Sequence, residues 1–174
     1  MMKKIKKVQY YLAFAIFSLM IFGACSNGDD DVNDEVSFLR CKIDGKLREF
    51  NYSLSANDRP DDFNSIHFVT IGGLEEKDPA KSPGFDFQLV SDDGAKEATY
   101  TVANGQGPEL IGQYYIQTSN GTTSYRANGN DGSSFTLTIT SITKWGVKGT
   151  FSGVLRHADT YMTVTDGEFA APYN

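Results

Sequence analysis

From residue 36 onward, apolar and polar residues alternate with a period of two. In SSFTLTITSI, residues 133–142, Phe135, Leu137 and Ile139 alternate with Thr136, Thr138 and Thr140. That pattern predicts a half-buried strand with a threonine-lined outer face. VKGTFSGVL, residues 147–155, places Val147, Phe151 and Leu155 on one face, and the TKWG between the two runs predicts a hairpin. YMTVTDGEFA, residues 161–170, supplies the next strand. Nearer the start, VSFLRCKI and KLREFNYS flank Asp44-Gly45, a dipeptide that favours a tight hairpin turn. NSIHFVTIGGL, residues 64–74, is apolar on both faces and reads as a central strand covered on both sides. GFDFQLV, EATYTV and LIGQYYIQT add three strands, and TTSYRAN a short edge strand. About nine or ten strands, with turn signals every eight to twelve residues, predict an all-β antiparallel sandwich or small barrel.

The first 35 residues break this pattern. MMKKIKKVQYY carries four lysines and no acid, and LAFAIFSLMIF, residues 12–22, carries no charge. Eleven helical residues span only about 16 Å, against a hydrocarbon core of about 30 Å. The run is therefore too short for a transmembrane helix and fits the basic and apolar regions of a secretory signal peptide. It ends in Gly23-Ala24-Cys25, which resembles the lipobox of bacterial lipoproteins, with Phe22 where that motif usually has leucine. The resemblance implies cleavage before Cys25, lipidation of its sulfur and acylation of the new amino terminus. Two or more acyl chains anchor a protein stably where one does not. SNGDDDVND then has too little apolar surface to fold and reads as a tether. Its acidic run resembles the export signal of surface lipoproteins in Bacteroidota, which implies an outer-membrane anchor with the domain facing the cell surface. The predicted organisation is a signal peptide over 1–24, the lipidated cysteine and acidic tether over 25–35, and a single all-β domain over 36–174.

Removing residues 1–24 takes away four lysines and no acid, so the net charge moves from −6 to −10. A chain this acidic repels nucleic acid, which excludes it as a partner. With Cys25 spent on lipid, Cys41 is the one cysteine of the domain, so no internal disulfide can form. Cys41 alternates with Leu39 and Ile43 and is expected as a buried structural cysteine in the core rather than a reactive thiolate.

Local motifs give no catalytic or metal signature. His67 and His157 lie ninety positions apart, and no spacing gathers the three or four ligands of a zinc site. GTFSG, residues 149–153, is not a nucleophile elbow, because it lies within a strand. Asp166 and Glu168 share a strand face but read as a turn residue and a solvated one rather than a hydrolytic pair. NGNDGSS and NDRPDD are oxygen-rich but lack calcium-loop spacing. No metal and no cofactor is expected. The one chemical signal is aromatic. Trp145 falls inside the predicted tight turn, and Tyr115, Tyr125 and Tyr161 point outward by alternation, an array suited to stacking on sugar rings.

The tail TLTITSI…VKGTFSGVL…MTVTDGEFAAPY, with CKIDGK and GAKEATYTV, resembles a group of uncharacterised Bacteroidota surface lipoproteins whose domains end in GTF and TDGEF strands. The resemblance covers most of residues 36–173 and implies a compact antiparallel β domain with no assigned activity. The expected function is that of a non-enzymatic, lipid-anchored cell-envelope protein with a ligand-binding or structural role and a glycan as the favoured ligand. A lipocalin-like carrier of a small apolar molecule is the alternative, and a hydrolase a more remote one.

Overall fold

The computed structural model describes residues 36–60, 67–91, 94–102, 109–129 and 131–174. The signal peptide, Cys25, the tether, residues 64–66 of the strand expected over 64–74, and parts of NDRPDD and NGNDGSS lie outside the described residues. Glu35–Asn174 form one compact unit. Eleven strands follow one another: β1 Phe38–Ile43, β2 Lys46–Glu49, β3 Tyr52–Pro60, β4 His67–Leu74, β5 Gly84–Ser91, β6 Thr99–Thr101, β7 Glu109–Thr118, β8 Gly121–Ala127, β9 Ser134–Ile142, β10 Gly146–His157 and β11 Thr160–Pro172. Among the described residues there is no helix. The domain is all-β and its strand ladders are antiparallel.

The strands make one sheet in the order β2-β1-β11-β10-β8-β7-β5-β4-β3, with β9 pairing the rest of the β10 edge and β6 pairing β9. Arg156 near the end of β10 meets Arg126 of β8, while Val147–Val154 meet β9. KLREFNYS, which reads as one strand by alternation, is two. β2 stops at Glu49 and β3 starts at Tyr52, on opposite edges of the sheet. The cause is Phe50, which is fully buried and turns the chain through the core. β4 is covered on one face rather than both, since Val69 and Ile71 are buried and Thr70 is exposed.

Because two residues join the opposite edges, the sheet must curl until those edges lie close together. Ring contacts across strands that are not neighbours record the curl. Phe87 of β5 lies 5.3 Å from Phe151 of β10 and 5.1 Å from Phe169 of β11, while Phe85 lies 5.6 Å from Phe50. The interior is thus filled by aromatic rings, with Leu39, Ile71, Leu89, Leu137, Ile139 and Leu155 around them. Burying one such ring contributes about 1.5–3 kcal/mol, and tilted ring pairs add about 0.5–1.5 kcal/mol.

Polar contacts hold the seam between the edges. The Phe50 N–H donates to the Leu39 carbonyl at 2.7 Å, and the Leu39 N–H donates to Asn51 Oδ1 at 3.1 Å. Arg48 on β2 donates Nη1 to both carboxylate oxygens of Glu75, just past β4, at 3.1 Å. A lone parallel bridge joins Ala56 to Tyr173, and Asn174 Nδ2 donates to Ser55 Oγ at 3.2 Å.

Cys41 sits inside this seam with no exposed surface. Burial pushes its thiol up to about 12, with Glu75 adding to the rise and Arg48 opposing it. Only about one thiol in ten thousand would then be ionised at pH 8, and the thiolate is the reactive form. In a Cys25→Ser background, Cys41 is expected to resist a water-soluble thiol reagent in the native protein and to label at once in denaturant. Fast native labelling would place Cys41 on the surface instead.

Candidate functional site

The outer face of β1, β11, β10 and β9 carries a groove of about 320 Å³. Its floor is Gly149, Phe169 and Ala170, and its walls are Val36 and Phe38 on one side and Thr140 and Lys148 on the other. Thr150 and Glu168 close one end. Register explains the assembly. Ala170 pairs with Phe38 on one flank and Lys148 on the other, and Thr150 pairs with Glu168 one step away. Gly149 faces inward between Lys148 and Thr150, and a methyl there would come within 2.1 Å of the Thr138 carbonyl and 2.8 Å of the buried Phe169 ring.

Trp145 stands beside this groove. Its turn is closed by the Thr143 N–H donating to the Gly146 carbonyl at 3.0 Å, and by the Trp145 N–H donating to Thr143 Oγ1 at 3.2 Å. The indole is half-buried, and Lys148 Nζ lies 5.9 Å from the ring centroid. On the far wall, Arg40 lies over the Phe38 ring at 5.0 Å and pairs with Glu168 at 3.0 Å. The groove therefore presents one aromatic wall, Phe38, with two threonine hydroxyls, a cation and a carboxylate, a mixture suited to a small polar ligand with a flat apolar face.

The three tyrosines do not join it. Tyr115 is on β7, and its half-buried ring lies across Gly84, where an added methyl would sit 2.3 Å from the ring carbon bearing the hydroxyl. Tyr125 does not point outward. Its ring packs 6.5 Å from Tyr114 and 5.5 Å from His157, against the core. The pairing of Tyr125 with buried Tyr114 and its alternation with Arg126 put it inside. Tyr161 is 53% exposed, with its hydroxyl donating to the Asp131 carbonyl at 3.2 Å and Arg156 over its ring at 5.6 Å. Tyr161 pairs with Arg156 near one end of β10 and Trp145 precedes the other end, so they stand roughly 30 Å apart.

The other residues weighed for chemistry have structural partners. Asp166 pairs with Lys42 at 2.9 Å and Glu168 with Arg40 at 3.0 Å, both across to β1. Asp131, in NGNDGSS, accepts from the Ser133 N–H and hydroxyl, which hold its carboxyl below the ordinary range. His157 closes β10, and its Nδ1 lies 2.9 Å from the Ser124 carbonyl. Among the described residues, no three His, Cys, Asp or Glu side chains gather where they could hold a metal ion.

A second polar constellation, not expected from the sequence, lies on the outer face of β5. Asp86 pairs with Gly72 on β4 and Gln113 on β7, and Gln113 pairs with Arg126 on β8. Burial pushes the Asp86 carboxyl up to about 6, and Arg126 opposes the rise. An aspartate between Phe85 and Phe87 was the available signal, since alternation turns it away from two core rings.

The raised value makes the sign of the pH effect definite. The folded state holds the Asp86 proton more tightly than the unfolded state does. That contribution is fully present below about pH 4 and is lost as pH rises through about 6. Asp86→Asn stays neutral, so it is expected to be more stable than the wild type at pH 8, by on the order of 2–3 kcal/mol. The advantage should shrink towards pH 4. Urea unfolding of both proteins at the two pH values checks this, and a gap that does not change with pH would contradict it. Compared with known proteins, the chain matches no family model, no curated protein and no solved structure, so geometry alone carries its functional reading.

Proposed function

We propose that this protein is a non-enzymatic glycan-binding domain of the cell envelope, anchored to the outer membrane by acyl chains on Cys25 and facing the cell surface. The observation that carries the reading is the groove beside Trp145. The Phe38 ring, two hydroxyls and both signs of charge line one shallow concavity, and the half-buried Trp145 indole adjoins it through Lys148. A pyranose has apolar C–H faces and an equatorial rim of hydroxyls, and it can meet these groups together. The Lys148 ammonium over the indole fixes the ring and contributes about 0.5–1 kcal/mol. The carrier alternative is weakened by the ring-filled interior, where Phe85, Phe87, Phe135 and Phe151 pack at centroid distances of 5.0–6.5 Å. The hydrolase alternative has little support, since Asp166 and Glu168 each bond a cation of β1.

Two outcomes are expected. Trp145→Ala should weaken polysaccharide binding by about tenfold or more, as measured by affinity electrophoresis at pH 7.5, while leaving the fold intact by circular dichroism. Unchanged retention would remove the groove from the binding surface. Cys25→Ala should accumulate as an unprocessed precursor that incorporates no labelled palmitate, and normal maturation of that variant would refute the anchor.

A further inference from the structure

The β5 constellation lies away from the Trp145 groove and has the marks of a second site. Along one row of the outer face, Gly72, Asp86, Gln113 and Arg126 pair in register across β4, β5, β7 and β8. All face outward, because the alternate residues Phe85, Phe87, Tyr114 and Ala127 are buried. Arg126 Nε donates a hydrogen bond to Gln113 Oε1. That bond turns the guanidinium along the row and leaves the Gln113 amide N–H groups as further donors.

Asp86 is the anomaly. Among the described residues its carboxyl receives no hydrogen bond, and Arg126 acts on it only through space. A half-buried carboxylate loses part of its hydration, and no protein donor among the described residues replaces it. Arg126 is exposed and on the neighbouring strand but one, yet it is committed to Gln113. The floor beside the carboxyl is bare backbone. A methyl on Gly72 would come within 2.8 Å of Asp86 Cβ. One step along the sheet, the Tyr115 ring lies over Gly84 and feels the Asp86 charge.

The charges narrow the ligand. A metal cation would be repelled by Arg126, with Arg156 paired beside it. An anion would be repelled by Asp86, and an apolar group would strand both charges away from water. A zwitterionic amino acid would satisfy both charges but would leave the Gln113 amide and the Tyr115 ring unused. A neutral sugar uses all four. Its hydroxyls donate to the carboxylate, accept from the guanidinium and the amide, and leave a C–H face for the ring. We propose that Asp86, Gln113, Arg126 and Tyr115 form a second sugar-binding subsite that takes a neutral pyranose of a glycan chain. The proposal rests on the glycan reading and extends it from one contact face to two.

The test uses the full chain in detergent micelles at pH 7.5, titrated with cellohexaose, maltohexaose, mannohexaose and xylohexaose. The proteins are the wild type, Asp86→Asn, Arg126→Gln and Trp145→Ala. Asp86→Asn is expected to fold at least as well as the wild type, so its loss of binding is not a loss of structure. Losing one charge-assisted hydrogen bond should weaken the favoured hexaose by about tenfold in Asp86→Asn and in Arg126→Gln. Wild-type affinity in both variants, with loss only in Trp145→Ala, would overturn the second subsite and leave the groove standing. Loss in the Asp86 and Arg126 variants with Trp145→Ala unaffected would support the subsite and overturn the groove. No binding of any hexaose by the wild type would overturn both.

Discussion

The structure depends on the two residues, Phe50 and Asn51, that join the edge strands of one sheet. β2 and β3 lie at opposite ends of the sheet order, yet the chain passes directly from one to the other. A flat sheet could not be connected this way, because strands lie about 4.8 Å apart and nine of them in a row span far more than two residues reach. The sheet therefore curls, and the curl brings β5 against β10 and β11, where Phe87 meets Phe151 and Phe169. Phe50 is both the connector and part of the filling, with its ring against Phe85 and Tyr114. Hydrophobic burial and chain connectivity thus act on the same residue.

Curling a sheet around so many rings requires places where backbone and ring come close. Phe135 shows how this is met. Its ring covers Gly112 on β7 and Gly153 on β10, and a methyl at either would approach within 2.6 Å and 2.9 Å of it. Each glycine thus leaves room for a ring rather than relieving a turn. The register shift between Phe151 and Gly153, where β10 meets β11, lies in the same region. On its other edge the long β10 pairs β9 from Val147 to Val154 and β8 at Arg156.

Much of this was legible in the sequence and some was not, for identifiable reasons. Alternation located the strands of the second half closely, since Phe135, Leu137 and Ile139 are buried while the threonines between them are not. It also put Cys41 inside and GTFSG within a strand. It failed at KLREFNYS, because a period of two continues through a strand break when the break residue is itself apolar. Tyr125 was misread because tyrosine fits either face, and only its pairing with Tyr114 decides. The groove was invisible in the sequence because its walls come from four strands and include Phe38 and Glu168, 130 positions apart. Trp145 could be singled out because a tryptophan in a tight turn is conspicuous without any partner. Its neighbour Lys148 could not, since cross-turn contacts depend on the twist of the hairpin.

Two carboxylates illustrate how structural and functional charge can be told apart in one fold. Glu75 and Asp86 are each pushed up by burial, and each has an arginine nearby. At Glu75, Arg48 meets both oxygens at 3.1 Å and joins the sheet edges. The charge is satisfied within the protein, as buried ions generally must be. At Asp86 the nearby arginine is turned aside to Gln113. Nothing in the curl of the sheet requires that diversion, because both side chains lie on the solvent face, clear of the ring-filled core. The Asp86 carboxylate, with a guanidinium and an amide beside it but bonded to neither, is the group whose missing hydrogen bonds the proposed sugar hydroxyls would supply.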